Sequence, residues 1–559
     1  MALKVLILGG YGTFGGRLAQ LLKDEPRLTL IIAGRSIEKA RAFCESLYGG
    51  AYAIPAVFER NGDVETQLRA LAPHIVVDAS GPFQNYSDSY SMVRAAIALG
   101  IDYLDLADGA EFVRGVAQFD VAAKARGVFV LSGVSSFPVL TAAVARSLST
   151  GMARIDSITG GIAPSPYAGV GLNVIRAIAS YGGKPVQLRR DGGTADAPAL
   201  IDSRRYTIAP PGQLPLRRLR FSLVDVPDLT LLPDLWPEVK SVWIGVAPVP
   251  AILHRALSAF AALVRWKLLP SLSPFAPLMH RTINILRWGE HRGGMFVDVE
   301  GRDGNGAAPR RSWHLLAEGD DGPLIPSMAA EAVVRRCLDS KRPGPGARAA
   351  TREIEVGDYE ALFARRKILT GVWQVVPNDP DQPVHRRVLG EAWMELPEPI
   401  RAMHDLRGTL VAEGRASVER GSGLLARLVA AIFRFPPATS DVLVRVTFRP
   451  VNGREIWQRE FGGYRFSSTQ EQGRGAFEHL LCERFGPFSF GLALVTENGR
   501  LRLIARGWRF LGIPLPTALV PNGETYEHAD DGRFNFHVEI RQRFIGLIVR
   551  YQGWLEPTG

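Results

Sequence analysis

A chain of 559 residues holds more than one domain, about three or four at ordinary domain sizes. With 46% hydrophobic and 22% charged residues it has globular composition, which excludes a disordered or collagen-like chain. The net charge of +10 raises the question of an acidic partner, but the excess forms no basic tail, and the first 130 residues carry 13 basic against 14 acidic side chains.

In chain order, residues 4–8 form a short apolar run ending in glycines, and 13–23 follow with helical spacing. Residues 28–33 are apolar again, and 36–47 read as a helix with Ser36 as its N-cap. Residues 74–79 read as a buried strand, 87–99 as a helix, 102–106 as a strand, 109–126 as a helix and 128–131 as a further strand. Short apolar runs alternating with helices predict a doubly wound parallel sheet, an α/β fold. From about 136 the pattern changes. Residues 138–148 look helical and 155–162 strand-like, while 164–235, rich in Pro, Gly and Arg, read as irregular structure with short elements. Residues 251–269 form an apolar helix, 295–300 and 312–318 alternate like neighbouring strands, 326–338 resume a helix, and 341–350 read as a connector. A third region begins near 380, within the turn-rich run around Pro377, Asn378 and Asp379. There Asn452-Gly453, Asn498-Gly499 and Asp531-Gly532 each separate alternating runs, the pattern of β-hairpins with one wet face. One amphipathic helix, 424–435, interrupts the strands, so a curved antiparallel sheet or open barrel wrapping a helix is expected.

Gly10, Gly12 and Gly15 fit GxGxxG between the first strand and the first helix. The first glycine permits the tight turn, the second lets backbone approach a pyrophosphate, and the third allows close helix–strand packing. About 20 residues further on, an acidic residue would bind the ribose of NAD. Here the strand ends in Ala33-Gly34-Arg35-Ser36. Arg35 supplies charge and donors for a 2′-phosphate and Ser36 a hydroxyl, which predicts NADP(H) over NAD(H). Val76-Val77-Asp78-Ala79-Ser80-Gly81-Pro82-Phe83 ends another strand of the same sheet, where small residues let a cofactor lie against backbone. Asp78 either orients that loop or caps it, and Asp63, just before a helix, reads as an N-cap. On the same edge, Tyr103, Asp105 and Asp108 are candidates to bind substrate or move a proton, or else polar residues closing a strand. Gly133 to Pro138, where the chain leaves the sheet, lines the cleft or forms a hinge.

Together, the 10–15 loop, Ala33 to Ser36, the 79–83 loop and Tyr103 to Asp108 resemble the saccharopine dehydrogenase-like (saccharopine reductase-like) family. The Gly322-Pro323-Leu324-Ile325-Pro326 turn is similar to that family's second domain. The resemblance covers about residues 1–370. It implies a Rossmann domain over 1–135, an α+β substrate and dimerisation domain over 136–375, and a nicotinamide cofactor. Tyr11, Thr13, Phe14, Arg35, Ser36, Ser80 and Gly81 are the cofactor contacts it implies. The family is functionally mixed. It holds lysine-pathway and polyamine-type dehydrogenases and lipid-associated members, including a trans-acting enoyl reductase type. The glycine loop resembles the last branch, and no amino-acid-binding constellation stands out, so saccharopine is not the expected substrate. Residues 380–559 resemble a DUF4166-type module, a name that brings no chemistry.

Residues 251–269 combine apolar side chains with Arg255, Arg265, Lys267 and Trp266, which suits a helix lying on anionic lipid. Packing within the second domain or across a homodimer is the other reading. No continuous apolar stretch reaches the ~18 residues of a spanning helix, and the N-terminus lacks a signal peptide's pattern. Three scattered cysteines, Cys44, Cys337 and Cys482, suggest neither a disulfide framework nor a zinc site, and fit a cytoplasmic compartment. The ten histidines show no metal-binding spacing, so no metal is expected. The paired arginines, such as Arg204-Arg205, lack interleaved aromatics, so no nucleic acid is expected either. The leading expectation is an NADP(H)-dependent oxidoreductase that reduces a C=O, C=N or C=C bond of a small, apolar or lipid-linked substrate, with Tyr103 or Asp108 giving the proton. The rival is a non-catalytic nucleotide-binding, lipid-associated protein.

Overall fold

The first apolar run forms β1 (Leu3–Leu8), an interior strand of a seven-stranded parallel sheet. The computed structural model describes residues 2–83, 86, 88–248, 250–375 and 381–558. Beside β1 lie β2 (Leu28–Gly34) and β3 (Tyr52–Val57) on one side. On the other side lie β4 (Ile75–Asp78), β5 (Asp102–Asp105) and β6 (Phe129–Ser132). β2 and β4 are buried at every residue, which is why they read as unbroken apolar runs. The strand order reverses direction at β1, which opens a crevice at the carboxyl ends of β1 and β4. The first helix, α1 (Thr13–Leu22), follows β1, and α2 (Ile37–Ser46) is capped by Ser36, whose hydroxyl accepts the Lys39 N–H. Asp63 caps the next helix through the Thr66 N–H, as its sequence position suggested.

Three expectations are corrected here. The 341–350 connector contains the strand Gly346–Ala349, which pairs parallel with β6 and completes the sheet. Its Gly-Ala-Arg-Ala sequence has no strand propensity of its own, and an available edge decides its conformation. The 109–126 helix is two helices, Ala110–Gly115 and Asp120–Arg126, joined by a 3₁₀ turn over Val116–Phe119. Residues 164–235 are far more regular than expected. They hold helices Leu172–Tyr181 and Asp228–Leu235 and four strands, the first two turning at Asp191-Gly192, both with positive φ. The start of the 87–99 helix falls on Ser87, outside the described residues; the helix is described as Ser91–Leu99.

Beyond the first sheet, strand Arg154–Ala163 lies between Ser241–Val246 and Arg292–Arg302, and the latter pairs antiparallel with Arg310–Glu318. The expected neighbours at 295–300 and 312–318 are thus paired directly. The chain divides into two compact units, Met1–Tyr206 with Leu219–Thr370, and Thr207–Arg218 with Gly371–Gly559.

The second unit is built on antiparallel strands. All three expected hairpins form, and Asn452, Asn498 and Asp531 all adopt positive φ before their glycines, as a two-residue turn requires. Ten strands follow one another round a ring. It closes where Phe488–Glu497 pairs with Arg500–Phe510, so the sheet is a closed barrel rather than an open one. The amphipathic helix spans Leu424–Ile432 and turns Val429 inward while Leu424, Leu425 and Leu428 stay exposed. Two short helices, Val384–Leu389 and Glu398–His404, were not foreseen. The turn-rich run before them lies partly at 376–380, outside the described residues.

Candidate active site

The glycine loop is shaped by close backbone approach. A Cβ on Gly15 would stand 2.4 Å from the Gly9 carbonyl oxygen, and one on Gly10 2.7 Å from that of Ile7. Gly9 itself has φ +75°, and a Cβ there would meet the Ala79 carbonyl oxygen at 2.9 Å. Only glycines let β1, α1 and the loop after β4 converge this tightly. No side chain caps α1 at Gly12, which leaves its N-terminal N–H groups available to an anion. The loop lines a cleft of about 580 Å³ together with Tyr11, Thr13, Phe14, Arg35, Ser80 and Gly81. The residues present therefore fit a dinucleotide.

The end of β2 is organised by Tyr11. Its hydroxyl accepts the Ser36 N–H at 3.0 Å, and a Cβ on Gly34 would stand 2.4 Å from that hydroxyl. Arg35 is exposed, lines the cleft and forms no ion pair among the described residues. Ser36 is otherwise engaged. Its hydroxyl donates to Glu38 at 2.7 Å while capping α2, so Arg35 is the member of the pair free to meet a phosphate.

A buried cation that the sequence did not single out stands beneath the third loop. Arg60 donates from Nε to Asp78 Oδ2 at 3.0 Å, and both side chains are almost wholly buried. Its guanidinium lies over the Tyr86 ring, 4.0 Å from the centroid. The other carboxylate oxygen of Asp78 accepts the Ser80 N–H at 3.0 Å and the Ser80 hydroxyl at 2.5 Å. Asp78 thus holds the turn at Ser80 through backbone and side chain, which fits both of its sequence readings.

The two proton-transfer candidates part company. Tyr103 is fully buried, 3.5 Å from Asp78 through its hydroxyl, and does not line the cleft. Burial, then the charges of Asp78 and Asp105, raises its pKa far above that of a free tyrosine. Asp105 is equally buried. Desolvation pushes its carboxyl up to about 7, although N–H groups of Gly133 and Ala107 and the Ser132 hydroxyl donate to it. Asp108 lies on the cleft rim. Surrounding protein, and then the nearby charge of Asp225, raise its pKa. Tyr181, half-buried at the end of helix Leu172–Tyr181, feels both carboxylates, a grouping the sequence did not reveal because its members lie far apart in the chain.

Thr13, Phe14, Gly171 and Val174 are shared with a second pocket of about 160 Å³. Its wall is apolar, with Ile162, Met295, Leu315 and Ile325 among its residues. The segment between is tied down by Arg17, which donates to the Ala168 carbonyl at 2.9 Å, and by Asn173, which donates to that of Gly81 at 3.4 Å. Helix Ala251–Arg265 buries Ala261 and Val264 against Ile175, Leu272 and neighbours, sets His254 against the Ser222 hydroxyl at 2.6 Å, and leaves Ile252 and Phe260 exposed. Among the described residues no helix is long and apolar enough to cross a membrane.

Residues 5–131 match the model of the saccharopine dehydrogenase NADP binding domain, and residues 396–555 match a domain of unknown function, DUF4166. No curated protein matches the chain significantly. Solved structures similar to it include saccharopine dehydrogenase (L-Glu forming) from Saccharomyces cerevisiae, at 15% identity and a TM-score of 0.48, covering 67% of this chain and 100% of that one. A myo-inositol dehydrogenase from Corynebacterium glutamicum is 12% identical with a TM-score of 0.32, covering 68% and 100%. The WlbA dehydrogenase from Thermus thermophilus, solved with NAD and α-ketoglutarate, is 13% identical with a TM-score of 0.30, covering 62% and 90%. The chain joins a saccharopine dehydrogenase-type nucleotide-binding domain to a DUF4166 domain, and is an NAD(P)-dependent oxidoreductase of the dehydrogenase/reductase kind.

Proposed function

We propose that the protein uses NADP(H) and acts on an apolar substrate bearing a C=O, C=N or C=C bond. The observation that carries this reading is the dinucleotide cleft, which is lined by Arg35, without an ion pair among the described residues, and shares Thr13, Phe14, Gly171 and Val174 with an apolar pocket. The cofactor, when bound, supplies or accepts a hydride. The chain's own residues do the rest. The N-terminus of α1 takes the pyrophosphate, Arg35 the 2′-phosphate, and the Ser80–Gly81 loop, held by Asp78, gives backbone for the rest of the cofactor to lie on. The apolar pocket holds the substrate and excludes water. Asp108, whose raised pKa keeps a proton nearer neutral pH, is the donor that faces the cleft.

Arg35→Ala should weaken NADPH binding about 10–100-fold, the loss of a charge-assisted hydrogen bond of roughly 1.5–3 kcal/mol, and leave NADH binding nearly unchanged. Fluorescence titration with both cofactors measures this. Equal affinity for the two, untouched by the substitution, would overturn the NADP preference. NADPH oxidation against ketones, imines and enoyl thioesters tests the chemistry, and tight binding with no turnover on any of them would favour a non-catalytic nucleotide-binding protein.

The same unit carries a surface suited to anionic lipid. From Ala251 to Gly289 there is no acidic residue, while Arg255, Arg265, Lys267, Arg281 and Arg287 are all exposed. Among them stand exposed Ile252, Phe260, Trp266, Leu278, Ile285 and Trp288. Apolar side chains among cations, with no anion, match the interface of a negatively charged bilayer. The protein should float with phosphatidylglycerol vesicles and not with phosphatidylcholine vesicles, and the Trp266→Ser/Trp288→Ser double variant should stay in solution. Undiminished flotation of that variant, or a dimer that it dissociates, would assign the face otherwise.

A further inference from the structure

The barrel's helix, Leu424–Ile432, is apolar on two sides. On the inner side Val429, with Phe433 and Phe435 just beyond the helix, forms part of the wall of a cavity of about 210 Å³. On the outer side Leu424 is 83% exposed and Ile432 64%, with Leu425 and Leu428 exposed between them. A helix covering a core ordinarily turns polar residues outward. Single exposed leucines need no explanation, but a contiguous set marks a contact surface.

The surface continues past the helix. The Phe433 ring lies 5.5 Å from that of Phe488, which lies 5.0 Å from that of Phe510. Phe510 leads into the two-residue turn Leu511-Gly512, where the Leu511 N–H donates to the Pro487 carbonyl at 2.8 Å and both Leu511 and Ile513 are exposed. Leu511 has φ +49°, a conformation usual for Asn or Gly and costly for a bulky side chain. The helix also packs on strand Gly546–Pro557, and the turn before that strand presents Phe544, 72% exposed.

The charges among these side chains are of one sign. No acidic residue lies between Glu419 and Asp441, and those two are paired with Arg550 and Arg415. Between Glu483 and Glu524 the sole acidic residue is Glu497, at the far end of its hairpin and paired with Arg502. Arg427, Arg434 and Arg543 are exposed and form no ion pair among the described residues; against these three stands Glu524, also exposed. An anionic bilayer meets both needs, with acyl chains for the apolar side chains and phosphates for the arginines. A second copy does not, because a two-fold contact sets a patch against itself and would bring arginine to arginine.

We propose that the barrel docks on anionic membranes through this face, with helix Leu424–Ile432 lying in the interface and Arg427, Arg434 and Arg543 at the phosphates. The docked helix then stands between the lipid and the cavity whose wall it forms. The face belongs to the barrel unit and depends neither on the 251–289 surface nor on the cofactor assignment.

A probe that reports its own surroundings separates this face from the other. Full-length protein with Cys44→Ser and Cys337→Ser retains only the buried Cys482, and the fluorophore NBD is attached to it through Leu428→Cys, Ile513→Cys or, as a control at the opposite end of the hairpin, Glu497→Cys. With phosphatidylglycerol vesicles the emission at 428 and 513 should shift to the blue and at least double. Phosphatidylcholine vesicles should leave it unchanged, and the probe at 497 should respond to neither. Arg427→Glu/Arg543→Glu, which keeps every apolar side chain, should cut the response at 513 at least fivefold, and Arg427→Lys/Arg543→Lys should retain it. Circular dichroism and thermal melting establish that each variant is folded, and Arg427→Gln/Arg543→Gln serves if the charge reversal is not. The proposal is overturned if the probes at 428 and 513 stay silent on phosphatidylglycerol, whether or not the protein floats with the vesicles. It is equally overturned if phosphatidylcholine gives the same response or if the folded charge variant keeps it. A response at 513 that appears without vesicles and grows with protein concentration would also overturn it, and assign the face to a second copy.

Discussion

Replacing Asp78 with alanine is expected to destabilise the nucleotide-binding domain by about 3–5 kcal/mol and to remove most of its cofactor affinity. The carboxylate is fully buried and does two things at once. One oxygen neutralises Arg60, itself about 4% exposed, and the other holds the Ser80 backbone and hydroxyl. Without it Arg60 remains as an uncompensated charge between Phe83 and Tyr86, with one guanidinium nitrogen that has no partner among the described residues. Stability is read from the melting transition that NADPH shifts, since that transition belongs to the domain that binds it. The double variant Asp78→Leu/Arg60→Met separates the two roles. Removing both charges should recover most of the stability, because an apolar pair of similar volume is often no worse than a buried ion pair. Cofactor affinity should stay low, because nothing then fixes the Ser80 loop. If the double variant binds NADPH as well as the natural protein, the loop-orienting role of Asp78 is wrong.

The second large effect is expected in the barrel. His404 and Glu527 are both buried and meet at 2.6 Å, with His385 stacked on His404 at 3.9 Å and Glu455 beyond it. Burial works against charge on His404, but the Glu527 carboxylate, and more weakly Glu455, raises its pKa above the ordinary 6.5. Burial likewise opposes charge on Glu527, and His404, with His385 and Arg459, pulls its pKa below the ordinary 4.5. The histidine's contribution is full below 6.5 and is lost as pH rises through its raised folded value. The glutamate's is full above 4.5 and is lost as pH falls through its depressed folded value. The barrel should therefore be most stable between those two values and weaken on either side. Glu527→Leu should destabilise it by about 3–5 kcal/mol at pH 5.5 and flatten that dependence. Urea melts of the barrel transition across the pH range decide the matter, and an unaltered bell in the variant would show that other groups produce it.

Much of the candidate cofactor site could be read from residue order because its requirements are local. Gly10, Gly12 and Gly15 must be glycine where a Cβ would collide with backbone a few residues away, and Ser36 caps the helix it begins. Arg60 could not be read this way. A single arginine after an apolar strand carries no signal until β4 places Asp78 beside it. Tyr103 illustrates the opposite error. A tyrosine at a strand end invites a proton-transfer role, but alternation along a four-residue strand buried throughout does not tell which side of the sheet the hydroxyl takes.

What the sequence by itself determined is the set of short-range decisions. The glycine turn, the helix caps and the three two-residue hairpins are each settled within a few residues, where backbone sterics and one or two hydrogen bonds suffice. The tertiary structure alone decided the long-range ones. It placed Gly346–Ala349 on the edge of a sheet more than 200 residues away, closed the barrel where Phe488–Glu497 meets Arg500–Phe510, and assembled the Asp78–Arg60 and His404–Glu527 pairs. Edge pairing and buried charge depend on which partners arrive at the same place, and that is fixed by the packing of whole elements rather than by the preferences of the residues within them.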